Sequence, residues 1–206
     1  FVGGIEGAIL ILAAQYWGKK DTASIRKVVS IGVKFALAVG ILMSLLAVSF
    51  PEEVIWIFTK EAGVIEEGAA YVQIVGFTYL FFSVSQVMIA SMRSVETARI
   101  GLYISCMALV VNVCLNYVFI FGHFGFPAMG VRGAALATLI SRIMEMCVGI
   151  FYVFVVDKKL RFGVKDLLHT DRQLLRDFVR YGLPVIGGQV VWSINTLANT
   201  KILGYY

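Results

Sequence analysis

IGLYISCMALVVNVCLNYVFIF, residues 100–121, carries no charged side chain. About 20 apolar residues at 1.5 Å rise cross the hydrocarbon core of a bilayer, so this run predicts a membrane-spanning helix. Working outward, four more stretches reach that length and apolarity: 28–50, 71–91, 131–156 and 184–206. A sixth apolar run, 1–17, is helix-like from its first residue. Charged loops separate all six. The expected fold is all-α: a polytopic bundle of transmembrane helices.

Composition agrees. The chain is 59% hydrophobic and 15% charged, with mean hydropathy +0.84, whereas a soluble domain carries about 25% charged residues. It opens on Phe1 with no cleavable leader pattern and closes on Tyr206 with no polar tail. The expectation is a piece of a longer, transporter-like chain.

A net charge of +5 could point to nucleic acid, but the placement of the charge argues against it. Lys19, Lys20, Arg26 and Lys27 follow the first run, and Arg93 and Arg99 follow the third. Lys158, Lys159, Arg161, Lys165, Arg172, Arg176 and Arg180 follow the fifth. The intervening loops hold only Lys60 and Arg132, beside the acidic Glu52, Glu53, Glu61, Glu66 and Glu67. By the positive-inside rule the basic loops after residues 18, 91 and 156 face the cytoplasm, the chain is multi-pass in the cell membrane, and 184–206 runs outward. Cys106, Cys114 and Cys147 all lie in apolar runs, and His123 and His169 lie in loops on opposite sides. No metal site, catalytic thiol or Ser-His-Asp arrangement is expected, so the chain does not read as an enzyme.

Two features describe packing. Gly133, Ala137 and Ser141 recur every fourth residue, as do Gly3 and Gly7, and small residues at that spacing let helices approach closely in lipid. In the long connection 157–183, Thr170 and Gln173 have the spacing of a capping box. Leu174, Leu175, Phe178 and Val179 then form an apolar face opposite Arg172, Arg176 and Arg180. That pattern predicts an amphipathic helix on the cytoplasmic membrane surface, ending at Gly182-Leu183-Pro184 where a new span begins. It serves either to link two lobes or simply to anchor the chain.

Polar groups inside a bilayer are costly unless paired or hydrated, so they are the candidates for function. Asn112 and Asn116 sit four apart on one helical face and can either bind a neighbouring helix or present carbonyl oxygens to a cation. Gln189, Ser193, Thr196 and Thr200 recur at steps of four, three and four, flanked by Trp192 and Asn199. Such a stripe lines a helix interface or, as favoured here, a water-filled substrate cavity. Lys201 reads as a snorkelling cation near the outer end. Arg142 and Glu145, three apart in mid-span, can pair for structure or for gating. Glu6, among Gly3, Gly4 and Gly7, is a candidate unpaired carboxylate able to carry a proton or cation.

Several motifs, in order along nearly the whole chain, resemble those of the multidrug and toxic compound extrusion (MATE) transporters. They are Ala14-Gln15-Tyr16-Trp17-Gly18 with Asp21, Ala90-Ser91-Met92-Arg93, and Asn112-x-x-x-Asn116-Tyr117 with Phe119-Ile120-Phe121-Gly122. Pro127-x-Met129-Gly130-Val131-x-Gly133-Ala134-Ala135-x-Ala137-Thr138 and Gly182-Leu183-Pro184 follow. The resemblance implies two six-helix lobes around a cleft, exporting organic cations or drugs in exchange for Na⁺ or H⁺ by alternating access. It implies no cofactor beyond that coupling ion. Residues 1–156 would form most of the N-terminal lobe, 157–183 the inter-lobe linker and 184–206 the first helix of the C-terminal lobe. The family's cation site maps onto Asn112 and Thr138. Its fifth-helix aspartate position holds Asn116, its first-helix acid lies outside these residues, and a seventh-helix glutamate has only Gln189 as counterpart. Coupling would then rest on the first-helix acid or on Glu6. The rival is a lipid-linked oligosaccharide flippase of the same superfamily, which needs a cationic cavity for pyrophosphate; Arg142 is the one plausible interior cation. No oligomeric state is implied.

Overall fold

An apolar run in lipid satisfies its backbone only within itself, so helices follow wherever the chain is apolar. The computed structural model describes residues 2–57, 59–168 and 171–203. Its helices are α1 (Val2–Gly18), α2 (Thr22–Ser49), α3 (Pro51–Trp56), α4 (Ala62–Val75), α5 (Thr78–Ser94), α6 (Ala98–Phe121), α7 (Gly130–Phe151), α8 (Val164–Leu168) and α9 (Arg172–Leu203). A single π-helical segment, Tyr152–Val156, prolongs α7. No strand occurs among the described residues.

Local chemistry sets the helix ends. Asp21 caps α2, accepting from the Ser24 amide at 3.0 Å and from its hydroxyl at 2.6 Å. Pro51, with no amide hydrogen to lose, opens α3. Gly122 closes α6 in the left-handed region at φ +73°, where an added Cβ would lie 2.6 Å from the Ala128 nitrogen. An added Cβ on Gly133 would lie 2.6 Å from the Phe119 carbonyl oxygen, so this glycine lets α7 start hard against the end of α6. The small-residue series thus has the packing role its spacing predicts.

Ile9 and Leu12 of α1, Ile25 and Val29 of α2, and Met88 of α5 form the dry centre. α7 lies on the other side of α5, and α6 packs along α7. The outward face of α6 is apolar and exposed (Leu102, Val110, Val113), as suits contact with lipid. Lys159 ties the three basic loops together: its ammonium donates to the Val95 carbonyl at 2.9 Å and lies 5.7 Å from the Trp17 ring centre. Arg26 donates to the Leu160 carbonyl at 3.2 Å and pairs with Asp166 at 3.6 Å. All three loops therefore meet at one end of the bundle.

Three expectations are corrected. The run 71–91 is not one straight helix: α4 and α5 meet at a 45° bend. The Thr78 hydroxyl donates to the Val75 carbonyl at 2.6 Å, taking up an oxygen left over where the helix breaks. Gly76 leaves room at the bend for α2, since an added Cβ would lie 3.0 Å from both Ala47 and Val48. Second, among the described residues three helices are long and apolar enough to span a membrane, or four counting the bent pair, where five runs of that length were expected. α1 has 17 described residues, and Gln189, Asn195 and Asn199 lower the apolarity of α9.

Third, the amphipathic segment and the last apolar run are one helix, α9, with Pro184 inside it. Proline removes an amide donor and would ordinarily break the helix. Here α1 supports α9 on both sides of Pro184, through Ala8 against Gly182 and Gly7 and Gly4 against Val185 and Ile186. Part of the amphipathic face is turned to protein: Leu174 and Phe178 are buried, and Phe178 stacks on Phe35 of α2 at 5.4 Å, while Val179 is exposed. Thr170, the expected cap, lies outside the described residues. Asp171 binds the Gln173 amide at 3.0 Å and Lys27 at 3.3 Å, and these two contacts hold its carboxyl below the usual range.

Candidate functional site

α5, α6 and α7 each turn one polar face inward. Phe82 and Gln86 are four apart on α5. Ser105, Ala108, Leu109 and Asn112 on α6 follow steps of three, one and three, and so do Thr138, Ser141, Arg142 and Glu145 on α7. Those spacings place each set on one helical face. Together the ten residues line a cavity of about 450 Å³ between the three helices.

One wall is a directed amide chain. Asn116 Nδ2 donates to Asn112 Oδ1 at 3.0 Å, and Asn112 Nδ2 lies 3.4 Å from Thr138 Oγ1 and 3.3 Å from Ser141 Oγ. Both hydroxyls spend their own hydrogens on α7 carbonyls, those of Ala134 and Thr138, each at 2.9 Å. Their oxygens are therefore left to accept. The chain ends at Asn116 Oδ1, which is buried without a partner. A buried acceptor left unmade costs about 1–3 kcal/mol, and a donor or a cation at that point would recover it.

The other wall is charged. Glu145 is 1% exposed. Its carboxylate accepts from Arg142 Nη1 at 2.7 Å, and the hydroxyls of Ser105 and Ser85 lie 3.3 and 3.4 Å away. The Arg142 guanidinium also lies over the Phe82 ring, 4.9 Å from its centre. Arg142 is about a third exposed, so the ion pair opens onto the cavity on the arginine side.

The sequence candidates divide accordingly. Asn112 and Thr138 line the cavity, and Asn116 lies one helical turn behind, hydrogen-bonded to Asn112. Glu6 does not join them and is not unpaired: it forms an ion pair with Arg93 of α5. Nor does the α9 stripe line this cavity. Gln189 lies beside Gly3 of α1, 3.5 Å from where a Cβ would be, and Trp192, Ser193, Thr196 and Asn199 are exposed. Ser193 and Thr196 donate to carbonyls of their own helix, those of Gln189 at 2.8 Å and Trp192 at 3.0 Å. The Thr200 side chain lies outside the described residues. Phe82, Ser85, Gln86 and Ser105 were not singled out in the sequence; the available signal was Ser85, Gln86 and Ser105 as polar residues within apolar runs. Among the described residues no group of three or more His, Cys, Asp or Glu could hold a metal ion.

The family model MatE matches residues 1–118. The chain belongs to the MatE family. It is 26% identical over its whole length to the probable multidrug resistance protein YoeA of Bacillus subtilis, covering 45% of that protein. It is 34% identical, over 90% of the chain, to the probable multidrug resistance protein NorM of Rhizobium meliloti, covering 40% of it. The chain thus spans less than half the length of these relatives. A structure described as the inward-facing conformation of a multidrug resistance MATE family transporter superposes with TM-score 0.79 at 19% identity, covering 89% of this chain and 41% of that one. An outward-facing MATE structure gives 0.78 at 20% identity, covering 95% and 42%. These likenesses carry the fold: this MatE chain has the MATE-type helix bundle.

Proposed function

We propose that this MatE chain forms the N-terminal lobe, from its second helix onward, of a secondary active antiporter that exports organic cations or drugs in exchange for Na⁺ or H⁺ by alternating access. In this reading 157–183 joins the lobes, 184–206 begins the second lobe, and the basic loops face the cytoplasm of the cell membrane. The observation that carries it is the cavity between α5, α6 and α7, whose wall combines a buried carboxylate, an aromatic ring and the Asn112 amide. Carboxylate and ring both attract an organic cation. The coupling ion would be taken near Asn112, Asn116 and Thr138, where Asn116 Oδ1 has no partner. Glu6, held by Arg93, has a structural part in this reading.

The test is uptake of a fluorescent organic cation by proteoliposomes of the full-length protein under an imposed Na⁺ or H⁺ gradient. Uptake that follows one gradient and collapses with the matching ionophore supports the reading and names the coupling ion. No uptake under either gradient by folded protein would overturn it and favour the flippase. Arg142 argues against the flippase, because its charge is already spent on Glu145 rather than free for pyrophosphate.

A further inference from the structure

Arg142 and its two partners form a receptor for a cation that already contains one. The guanidinium sits where a small organic cation would sit: against the Glu145 carboxylate at 2.7 Å and over the Phe82 ring at 4.9 Å. Glu145 is 1% exposed, yet besides the arginine the Ser105 hydroxyl donates to its carboxylate at 3.3 Å, while Ser85 spends its hydrogen on the Phe82 carbonyl at 3.0 Å. The acid therefore keeps one hydrogen-bonding partner if the arginine leaves. Arg142 is the more exposed partner, on a long side chain that borders a cavity of about 450 Å³. The cheap movement is thus to swing the arginine out, leaving behind a carboxylate, an aromatic face and empty volume.

We propose that Arg142 is a tethered occupant of the substrate cation site, and that an organic cation binds by displacing it from Glu145 and Phe82. This rests on the exporter reading and adds a specificity device to it. Only a ligand carrying positive charge can replace the guanidinium without leaving the acid unpaired, so neutral molecules of the same shape are refused. The tether also keeps the buried carboxylate compensated between substrates.

The device has a sign that a merely structural ion pair lacks. Taking away the tethered competitor strengthens binding of a free cation, whereas loss of a structural pair leaves it unchanged or weakens it. The experiment is isothermal titration of full-length protein in detergent micelles with phenyltrimethylammonium, a cation that combines charge and an aromatic ring. Arg142→Gln, whose amide still satisfies Glu145 by hydrogen bonding, is expected to bind about two- to thirtyfold tighter, the range spanned by one cation–π contact. Glu145→Gln, nearly identical in shape, is expected to weaken binding by about tenfold or more. Folded Arg142→Gln that binds no tighter than wild type overturns the proposal. Should that variant fail to fold, Glu145→Gln decides: unchanged affinity overturns it, and weakened affinity upholds it. Wild-type protein that transports organic cations while Arg142→Gln shows no gain sinks the tethered-occupant proposal alone; wild-type protein that neither binds nor transports them sinks the exporter reading.

Discussion

Gly4→Ala should destabilise the contact between α1 and α9, and its size can be worked from the backbone. Gly4 is buried, and a Cβ there would overlap Ile186 Cγ1 and lie 2.9 Å from Ile186 Cα. A side-chain carbon can rotate away, but a Cα cannot, so α9 itself must shift. Gly7 differs: its closest neighbour would be Val185 Cγ1 at 2.7 Å, which another rotamer relieves. Overpacking of this kind costs about 1–3 kcal/mol, and the helix preference of alanine returns up to about 1 kcal/mol. The net loss is then about 0–2 kcal/mol. Gly188 on α9 has open space where its Cβ would go, so Gly188→Ala keeps only the gain, and the two variants should differ by the overpacking cost, about 1–3 kcal/mol. Equilibrium unfolding of full-length protein in detergent micelles measures both. Adding Ile186→Ala to Gly4→Ala should recover part of the loss, because Cγ1 goes but the Cα remains. Gly4→Ala as stable as Gly188→Ala would refute the reasoning.

Other perturbations test separate parts of the structure. Asp21→Ala removes the α2 cap and should cost about 1 kcal/mol in thermal unfolding. The Ser24 hydroxyl and amide hold the Asp21 carboxyl below its ordinary value, so its contribution is complete above about pH 4 and disappears as pH falls through the lowered value. The variant should accordingly lose less stability than wild type on acidification through that range. Ser83→Ala deletes a buried hydroxyl that lies 2.9 Å from the Ala36 carbonyl of α2, and should cost about 1 kcal/mol in the same assay. Asn116→Asp places a carboxylate where a buried oxygen has no partner, and should sharpen the Na⁺ or pH dependence of organic-cation uptake. An unchanged ion dependence would remove the amide chain from coupling.

What could be read from the sequence was whatever lies within a single helix. Apolar runs announced the helices because lipid leaves the backbone no other way to satisfy itself. The four-residue step from Asn112 to Asn116 announced a shared face, and the family motif added Thr138. Features that depend on the register between helices were hidden. Glu6 stood as an unpaired acid because Arg93, its partner, is 87 positions away. Ser105, which donates to Glu145, and Ser85 beside it are 40 and 60 positions away, and the one local mark they carry is to be polar within apolar runs. The bend at Gly76 was hidden too, since it depends on the Thr78 hydroxyl and on the approach of α2.

The α9 stripe carries the same lesson in reverse. Periodicity placed Gln189, Ser193 and Thr196 on a common face, but it could not say which face α1 would cover. On α1, Gly7, Gly4 and Gly3 meet Val185, Ile186 and Gln189 in turn, and Ser193 and Thr196 follow further along α9, past the first described residue of α1. At the cavity, Gly133 works likewise. By seating α7 against the Phe119 carbonyl it sets the height at which Thr138 and Ser141 meet Asn112, two turns further along. Arg142 and Glu145 follow on the same face of α7, so the position of the ion pair relative to Ser105 descends from that one close approach. A bulkier residue at 133 would slide both polar walls together, and should therefore alter cation binding without touching any residue that lines the cavity.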